Sequence, residues 1–200
     1  VLNLTFTSVP ITFCKINNMM ILLGIALAFG LILMVLYNGL VRAKNAVMDA
    51  WSNIDVALKK RYDLIPNLVN VVKGYAAHES GTLEKVIAAR NAALQVPKGD
   101  INGQIAADTA LTASLRQVFA LAESYPDLKA NTNFLQLQDS LNDIEQNLEN
   151  ARRYYNATVR ENNNKVEGFP SVLIAKQFGF STFDFYEVDE ESKKPVSVQF

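Results

Sequence analysis

Met19 to Tyr37 reads MMILLGIALAFGLILMVLY, a run with no charge and no strongly polar side chain. As a helix rising about 1.5 Å per residue, it covers roughly 28 Å, close to the hydrocarbon thickness of a bilayer. A helix also satisfies every backbone group where water is absent. Large residues (Leu33, Met34, Leu36, Tyr37) fill the end of the run, where a cleaved signal peptide needs small ones. The pattern predicts a retained transmembrane anchor over residues 19–40, with Tyr37 at the interfacial position that aromatics favour.

Beyond the anchor the period changes. Val47, Trp51, Ile54, Leu58, Tyr62, Ile65, Val69, Val72 and Ala76 step by fours and threes, which predicts one long helix with a seam for partner helices. Pro66 interrupts it, cannot bond the Tyr62 carbonyl, and predicts a kink. Gly74 and His78-Glu79-Ser80-Gly81 mark its end, with Ser80 or Thr82 as cap of the next helix. That second helix is predicted from Thr82 to Gln95, with Leu83, Val86, Ile87 and Leu94 inward. Pro97-Lys98-Gly99-Asp100 reads as a turn. A third, Ala-rich helix is predicted from Ile101 to Ser124, with Leu111, Leu115, Val118 and Ala122 on one stripe, ending at Tyr125-Pro126-Asp127.

The fourth helix has the clearest period: Phe134, Leu137, Leu141, Ile144, Leu148, Ala151, Tyr155, Thr158 and Asn162. Acidic residues lead it and basic residues follow, the order that suits a helix dipole. It is predicted to end near Gly168-Phe169-Pro170. Ser171 to Phe178 reads as a short helix capped at Ser171 and ended by Gly179. The crowded aromatics Phe180, Phe183, Phe185 and Tyr186 follow, and then Asp189-Glu190-Glu191 and Lys193-Lys194. Such aromatics either pack back onto their own bundle or form a docking patch. The expected fold is all-α: an antiparallel four-helix bundle of long helices preceded by one N-terminal transmembrane helix. The expected organisation is a lead at 1–18, the anchor at 19–40, a helical bundle at 41–170 and an aromatic and acidic tail at 171–200.

Composition sharpens this division. Half of the 200 residues are hydrophobic, yet 38 of the 39 charged ones lie at or beyond Arg42. The part after the anchor therefore has the charge content of an ordinary soluble domain. A net charge of −1 argues against a strongly basic nucleic-acid binder, so no nucleic acid is expected. One Cys and one His exclude a disulfide framework and a zinc site built from His and Cys. Only Lys15 flanks the anchor on its amino side, against Arg42, Lys44, Lys59, Lys60 and Arg61 on the other. This asymmetry predicts a cytoplasmic bundle and an outside N-terminus. Val1–Asn18 has no amphipathic pattern, and Met19 or Met20 makes a natural start. We expect this lead to be an over-extended frame or disordered, which leaves Cys14 without a role.

Candidate chemistry is sparse. There is no Gly-rich phosphate loop, no GxSxG and no HExxH. His78-Glu79, with Arg90 beyond, is the one pairing that suggests a hydrolytic site; at a helix end such a pair is more often a turn contact. The carboxylates of the fourth helix, Glu145 among them, read as a solvated face. Lys59-Lys60-Arg61 lies roughly 27 Å past the membrane on a straight helix, well beyond the Debye length of about 8 Å. A protein partner, or plain solvation, suits it better than lipid.

Several longer stretches carry a resemblance. Tyr37 to Ser80, the run Ala88-Ala89-Arg90, the stretch Tyr125 to Lys129 and RRYYNATVRENN in the fourth helix resemble the signature of the LemA family of bacterial membrane proteins. The Phe169-Pro170 tail fits as well, and the resemblance runs from Met19 to Phe200. It implies an N-terminal anchor, a cytoplasmic helical bundle and no established enzymatic activity. The expectation is a non-enzymatic, single-pass scaffold or adaptor in the bacterial inner membrane, without cofactor, metal or catalytic residues. It would contact the lipid bilayer, self-associate into a homo-oligomer or bind a membrane protein such as a metalloprotease. The candidate interaction surface is Lys59, Lys60, Arg61, Asp63, Pro66 and Asn67 with Phe180, Phe183, Phe185 and Tyr186. The alternative is a regulator or accessory factor of a membrane protease, or a hydrolase near His78 and Glu79.

Overall fold

The computed structural model describes residues 9–97 and 99–187, with side chains from residue 19 onward. The side chains of the lead 1–18, Cys14 included, lie outside the described residues, as do the acidic and basic runs Asp189-Glu190-Glu191 and Lys193-Lys194. Six helices follow in order: α1 (Val9–Tyr75), α2 (Ser80–Gln95), α3 (Ile101–Ala122), α4 (Pro126–Lys129), α5 (Thr132–Glu167) and α6 (Ser171–Phe178). No strand occurs among the described residues. The predicted anchor and the first bundle helix are one element, and Pro66 lies inside it. Two compact units result: one from the residues up to Ala46 with Arg160–Phe183, the other from Val47–Val159 with the tail from Asp184.

In the first unit, the side chains of α1 from Met19 to Val35 are exposed. The helix is long and apolar enough there to cross a membrane. Leu36 and Leu40 then pack with Val166 of α5, Ile174 and Ala175 of α6, and Phe180. Tyr37 meets the rings of Phe178 and Phe180 edge-on at 5.0 and 5.6 Å. Gly179 ends α6 at φ +70°, in the left-handed region that favours glycine. The amide N–H of Phe180 then donates back to the Ala175 carbonyl. Ser171 does not cap α6 as its position predicts. Its hydroxyl faces the C-terminal end of α5, within reach of the Lys165 and Gly168 carbonyls at 2.6 and 3.0 Å. The Gly168 carbonyl also accepts the Val172 N–H at 2.8 Å, whereas the Lys165 carbonyl lies in the last turn of α5, where helical partners run out, so the hydroxyl is more useful there.

The second unit is a helical bundle whose core is the predicted seam. Val47, Ile54, Leu58, Tyr62, Ile65, Val69, Val72 and Ala76 are buried, as are Leu111, Leu115, Val118 and Ala122 of α3. On α5, Phe134, Leu141, Leu148 and Tyr155 are buried at seven-residue intervals. Asp100 caps α3 by accepting the Gly103 N–H at 2.9 Å, and Asn131 caps α5 by accepting the Phe134 N–H at 3.0 Å. The α2–α3 connection turns through Gly99 at φ +93°.

Three local expectations change. Leu83 and Val86 face inward as predicted, but Ile87 and Leu94 are exposed, because Ala93 completes the buried face of α2. The first turn of α2 is flanked by Glu79, whose side chain makes no cap bond; neither Ser80 nor Thr82 is the N-cap. At Tyr125-Pro126-Asp127, where the third helix is expected to end, a further single turn, α4, forms with Pro at its first position.

Candidate functional site

The densest chemistry of the second unit is a buried cluster of charges drawn from three helices and the tail. Arg61 leaves α1 at a seam position, between Leu58 and Ile65, and is only 5% exposed. Asp108, at 3%, occupies the stripe position one turn before Leu111 on α3. Glu145 and Arg152 stand seven residues apart on α5, so they project from the same side two turns apart. Tyr186 comes from the tail and is 4% exposed.

Asp108 receives three donors. Arg61 Nη1 donates to its Oδ1 at 2.9 Å, Arg152 Nη2 to its Oδ2 at 2.5 Å, and the Tyr186 hydroxyl to its Oδ2 at 2.9 Å. Arg152 Nη1 also reaches Glu145 Oε1 at 3.3 Å, and its guanidinium lies 5.0 Å over the Tyr186 ring. Glu145 Oε2 is 3.1 Å from Arg61 Nη1, an ionic contact without hydrogen-bond alignment. Two cations therefore face two anions. Burial of such charges costs several kcal/mol per ion and is offset only by close, directed contacts. Removing one member leaves the others stranded.

The surrounding aromatics complete the enclosure. Trp51 meets Tyr155 edge-on at 5.5 Å and lies 6.4 Å from the Tyr186 ring. The Asn156 side chain grips the tail backbone twice: its Nδ2 donates to the Tyr186 carbonyl at 3.0 Å and its Oδ1 accepts the Tyr186 N–H at 2.8 Å. An asparagine amide thus stands in for a peptide group. Tyr155 donates its hydroxyl to the Asp184 carbonyl at 3.1 Å. In the first unit Asn163 grips Phe183 by the same pair of bonds, each 2.9 Å.

The electrostatics make this a fastener. Burial first, and then the Asp108 carboxylate, push the Tyr186 phenol far above its ordinary range. Burial and Asp108 likewise push Tyr62 up to about 12, and burial with Asp184 pushes Tyr155 up to about 12. Burial alone would lower Arg152, but Tyr186, Asp108 and Glu145 outweigh it and raise its pKa. A phenol held neutral by burial is a poor proton carrier near neutral pH. Beside them lies a cavity of about 220 Å³, with Arg61 and Glu145 on one side and Leu115, Arg116, Phe119 and Asn142 among its other lining residues.

The sequence-derived residues are dispersed. Lys59 pairs with Asp63 at 3.1 Å on the surface, and Lys60, Pro66 and Asn67 are exposed. Arg61 parts from its basic neighbours and turns inward. Phe180 and Phe183 are half-buried in the first unit; in the second, Phe185 is exposed and Tyr186 buried. His78 is exposed, Glu79 accepts the Tyr125 hydroxyl at 3.2 Å, and Arg90 Nε donates to the Tyr62 carbonyl at 2.8 Å. That carbonyl is the one Pro66 leaves without a helical partner. Among the described residues no group of three His, Cys, Asp or Glu side chains gathers as for a metal. Sequence reasoning did not single out Asp108 or Arg152, and it read Glu145 as part of a solvated face, whereas its carboxylate meets Arg61 and Arg152. The available signal was a charge in the stripe register of α1 and α3 (Arg61, Asp108), with Glu145 and Arg152 directly beside the α5 seam residues Ile144 and Ala151.

Comparison with known proteins agrees with this architecture. The chain is 21% identical to Magnetosome protein MamQ of Magnetospirillum gryphiswaldense over 193 residues, covering 84% of this chain and 71% of that protein. It is 26% identical to Protein LemA of Metamycoplasma hominis over 164 residues, covering 80% of this chain and 72% of that one. A model of the LemA family matches residues 50–200, a span that contains the whole charged cluster. The chain belongs to the LemA family.

Proposed function

We propose that the chain is a non-enzymatic, membrane-anchored scaffold or adaptor that works by self-association or by binding a membrane partner at the bacterial cell envelope. The observation that carries this reading is the continuity of α1. One helix supplies both the exposed apolar stretch and the central seam of the bundle. Whatever the bundle binds is thereby tethered to the membrane by the same chain segment. The excess of Lys and Arg beyond the anchor supports a cytoplasmic bundle. Similarity to a protein named for the magnetosome supports a place in an assembled structure. The surface offered to partners is Lys59, Lys60, Asp63, Pro66 and Asn67, with Phe185. Glu79 and Arg90 serve structural contacts on different elements, which disfavours the hydrolase alternative.

Crosslinking in cells followed by mass spectrometry tests the proposal, together with sizing of the detergent-solubilised protein. A defined oligomer, or a membrane protein captured through the named surface, is the expected result. A membrane protease among the captured proteins identifies the chain as its accessory factor. A monomer that captures nothing overturns the reading.

A further inference from the structure

We propose that α6 is a second membrane contact: Phe169, Leu173 and Phe178 insert into the headgroup–acyl boundary of an anionic bilayer beside the point where α1 leaves it. The inference rests on the membrane anchoring of α1. Within the first unit, outside the apolar run, three large apolar side chains stand in solvent within ten residues: Phe169 at 83%, Leu173 at 64% and Phe178 at 63% exposed. They are not oriented at random. Ile174 and Ala175 dock α6 on Leu40, which turns Leu173 away from the docked face; Phe178, one turn past Ile174, reaches Tyr37 at the end of that face and still leaves most of its ring exposed.

The height of the helix is fixed by one contact. Tyr37 is the last residue of the apolar run, and the Phe178 ring sits 5.0 Å from its ring. If the run fills the hydrocarbon core, Phe178 lies within about 5 Å of its edge, inside the interfacial zone of about 5–7 Å per leaflet. Lipid is therefore the neighbour already present at this depth. Charge agrees with that assignment. Within residues 38–46 and 160–183 there are five cations (Arg42, Lys44, Arg160, Lys165, Lys176) and two carboxylates (Glu161, Glu167). Lys176 lies on α6 itself and is exposed. A basic, aromatic surface at the membrane edge is complementary to anionic headgroups.

The test uses the full chain with Cys14→Ser, its only cysteine removed. Spin labels are placed singly by Leu27→Cys, Phe169→Cys, Leu173→Cys, Phe178→Cys and Ser52→Cys. The last site is fifteen residues past Tyr37, roughly 22 Å along α1. The protein is reconstituted in nanodiscs of phosphatidylcholine with one quarter phosphatidylglycerol. Collision rates are read with oxygen and with a water-soluble nickel chelate. The α6 labels should be several-fold less accessible to nickel than Ser52→Cys, and less deep than Leu27→Cys. Pure phosphatidylcholine discs, or Lys176→Glu, should raise their nickel accessibility. Labels on α6 as nickel-accessible as Ser52→Cys, with Leu27→Cys still in lipid, overturn the proposal and leave the anchor intact. A nickel-accessible Leu27→Cys overturns the anchoring itself. Protection that appears only as protein per disc rises assigns the surface to a second copy. Equal protection in both lipid mixtures overturns the anionic preference.

Discussion

Asp108 is a single carboxylate on which three segments depend. Because Arg61 is buried and Arg152 largely so, Asp108→Asn leaves them with only the partly exposed Glu145 as a carboxylate partner. A loss of about 3–5 kcal/mol of stability is expected, the usual cost of breaking a buried ion pair from one side. Tyr186→Phe removes one donor to the same carboxylate and should cost about 1.5–3 kcal/mol. Chemical denaturation of the detergent-solubilised protein measures both; an Asp108→Asn protein as stable as the parent refutes the cluster. The sequence made the positions legible but not the partners. Arg61 sits three residues past Leu58 and four before Ile65, a seam register, yet it reads equally as the third member of a surface trio. Which helix supplies its counter-ion depends on how distant segments meet, and periodicity carries no information about that.

Among the elements, α1 shows how a proline is accommodated. The orphaned Tyr62 carbonyl followed directly from Pro66; the Arg90 side chain that satisfies it did not. The stripe Leu83, Val86 and Ala93 places Arg90 on the inward side of α2, and the exposure of Ile87 and Leu94 is the other face of that choice. Arg90→Ala should cost about 1–3 kcal/mol, because it leaves a partly buried carbonyl unpaired. In a Pro66→Ala background the same substitution should cost less, since the residue 66 amide then donates to Tyr62 within the helix. A double-mutant cycle by denaturation measures the difference, and equal costs in both backgrounds break the link. Strongly periodic α1, α3 and α5 were readable in advance. The one-turn α4 was not, being too short to show a period, and the hydroxyl of Ser171 chose between two helix ends that the sequence presents alike.

For the molecule as a whole, the all-α character and the apolar span were visible at once, since each is written in local pattern. The aromatic tail was visible as composition only; its attachment through Asn156 and Asp108 was not. That attachment gives stability a pH dependence. Tyr62 and Tyr155 are pushed up to about 12 from an ordinary 10.0, and Tyr186 is raised further. A raised folded-state value means the contribution is complete below pH 10 and is lost as pH climbs through the folded values. Unfolding free energy should hold up to about pH 10 and fall between about 10 and 12. Phenolate absorbance of the native protein should lag that of the denatured chain and rise with unfolding. A native titration that overlays the denatured one contradicts the buried phenols. The Tyr186–Asp108 bond also has a temporal meaning. Its partners lie 78 residues apart in sequence. A chain synthesised from its amino end has placed Arg61, Asp108 and Arg152 long before Tyr186 emerges from the ribosome. Until then Asp108 lacks its third donor and Trp51 and Tyr155 lack their cover. A prematurely terminated product would display that defect to cellular proteases, so the last bond to close reports that translation ran past residue 186.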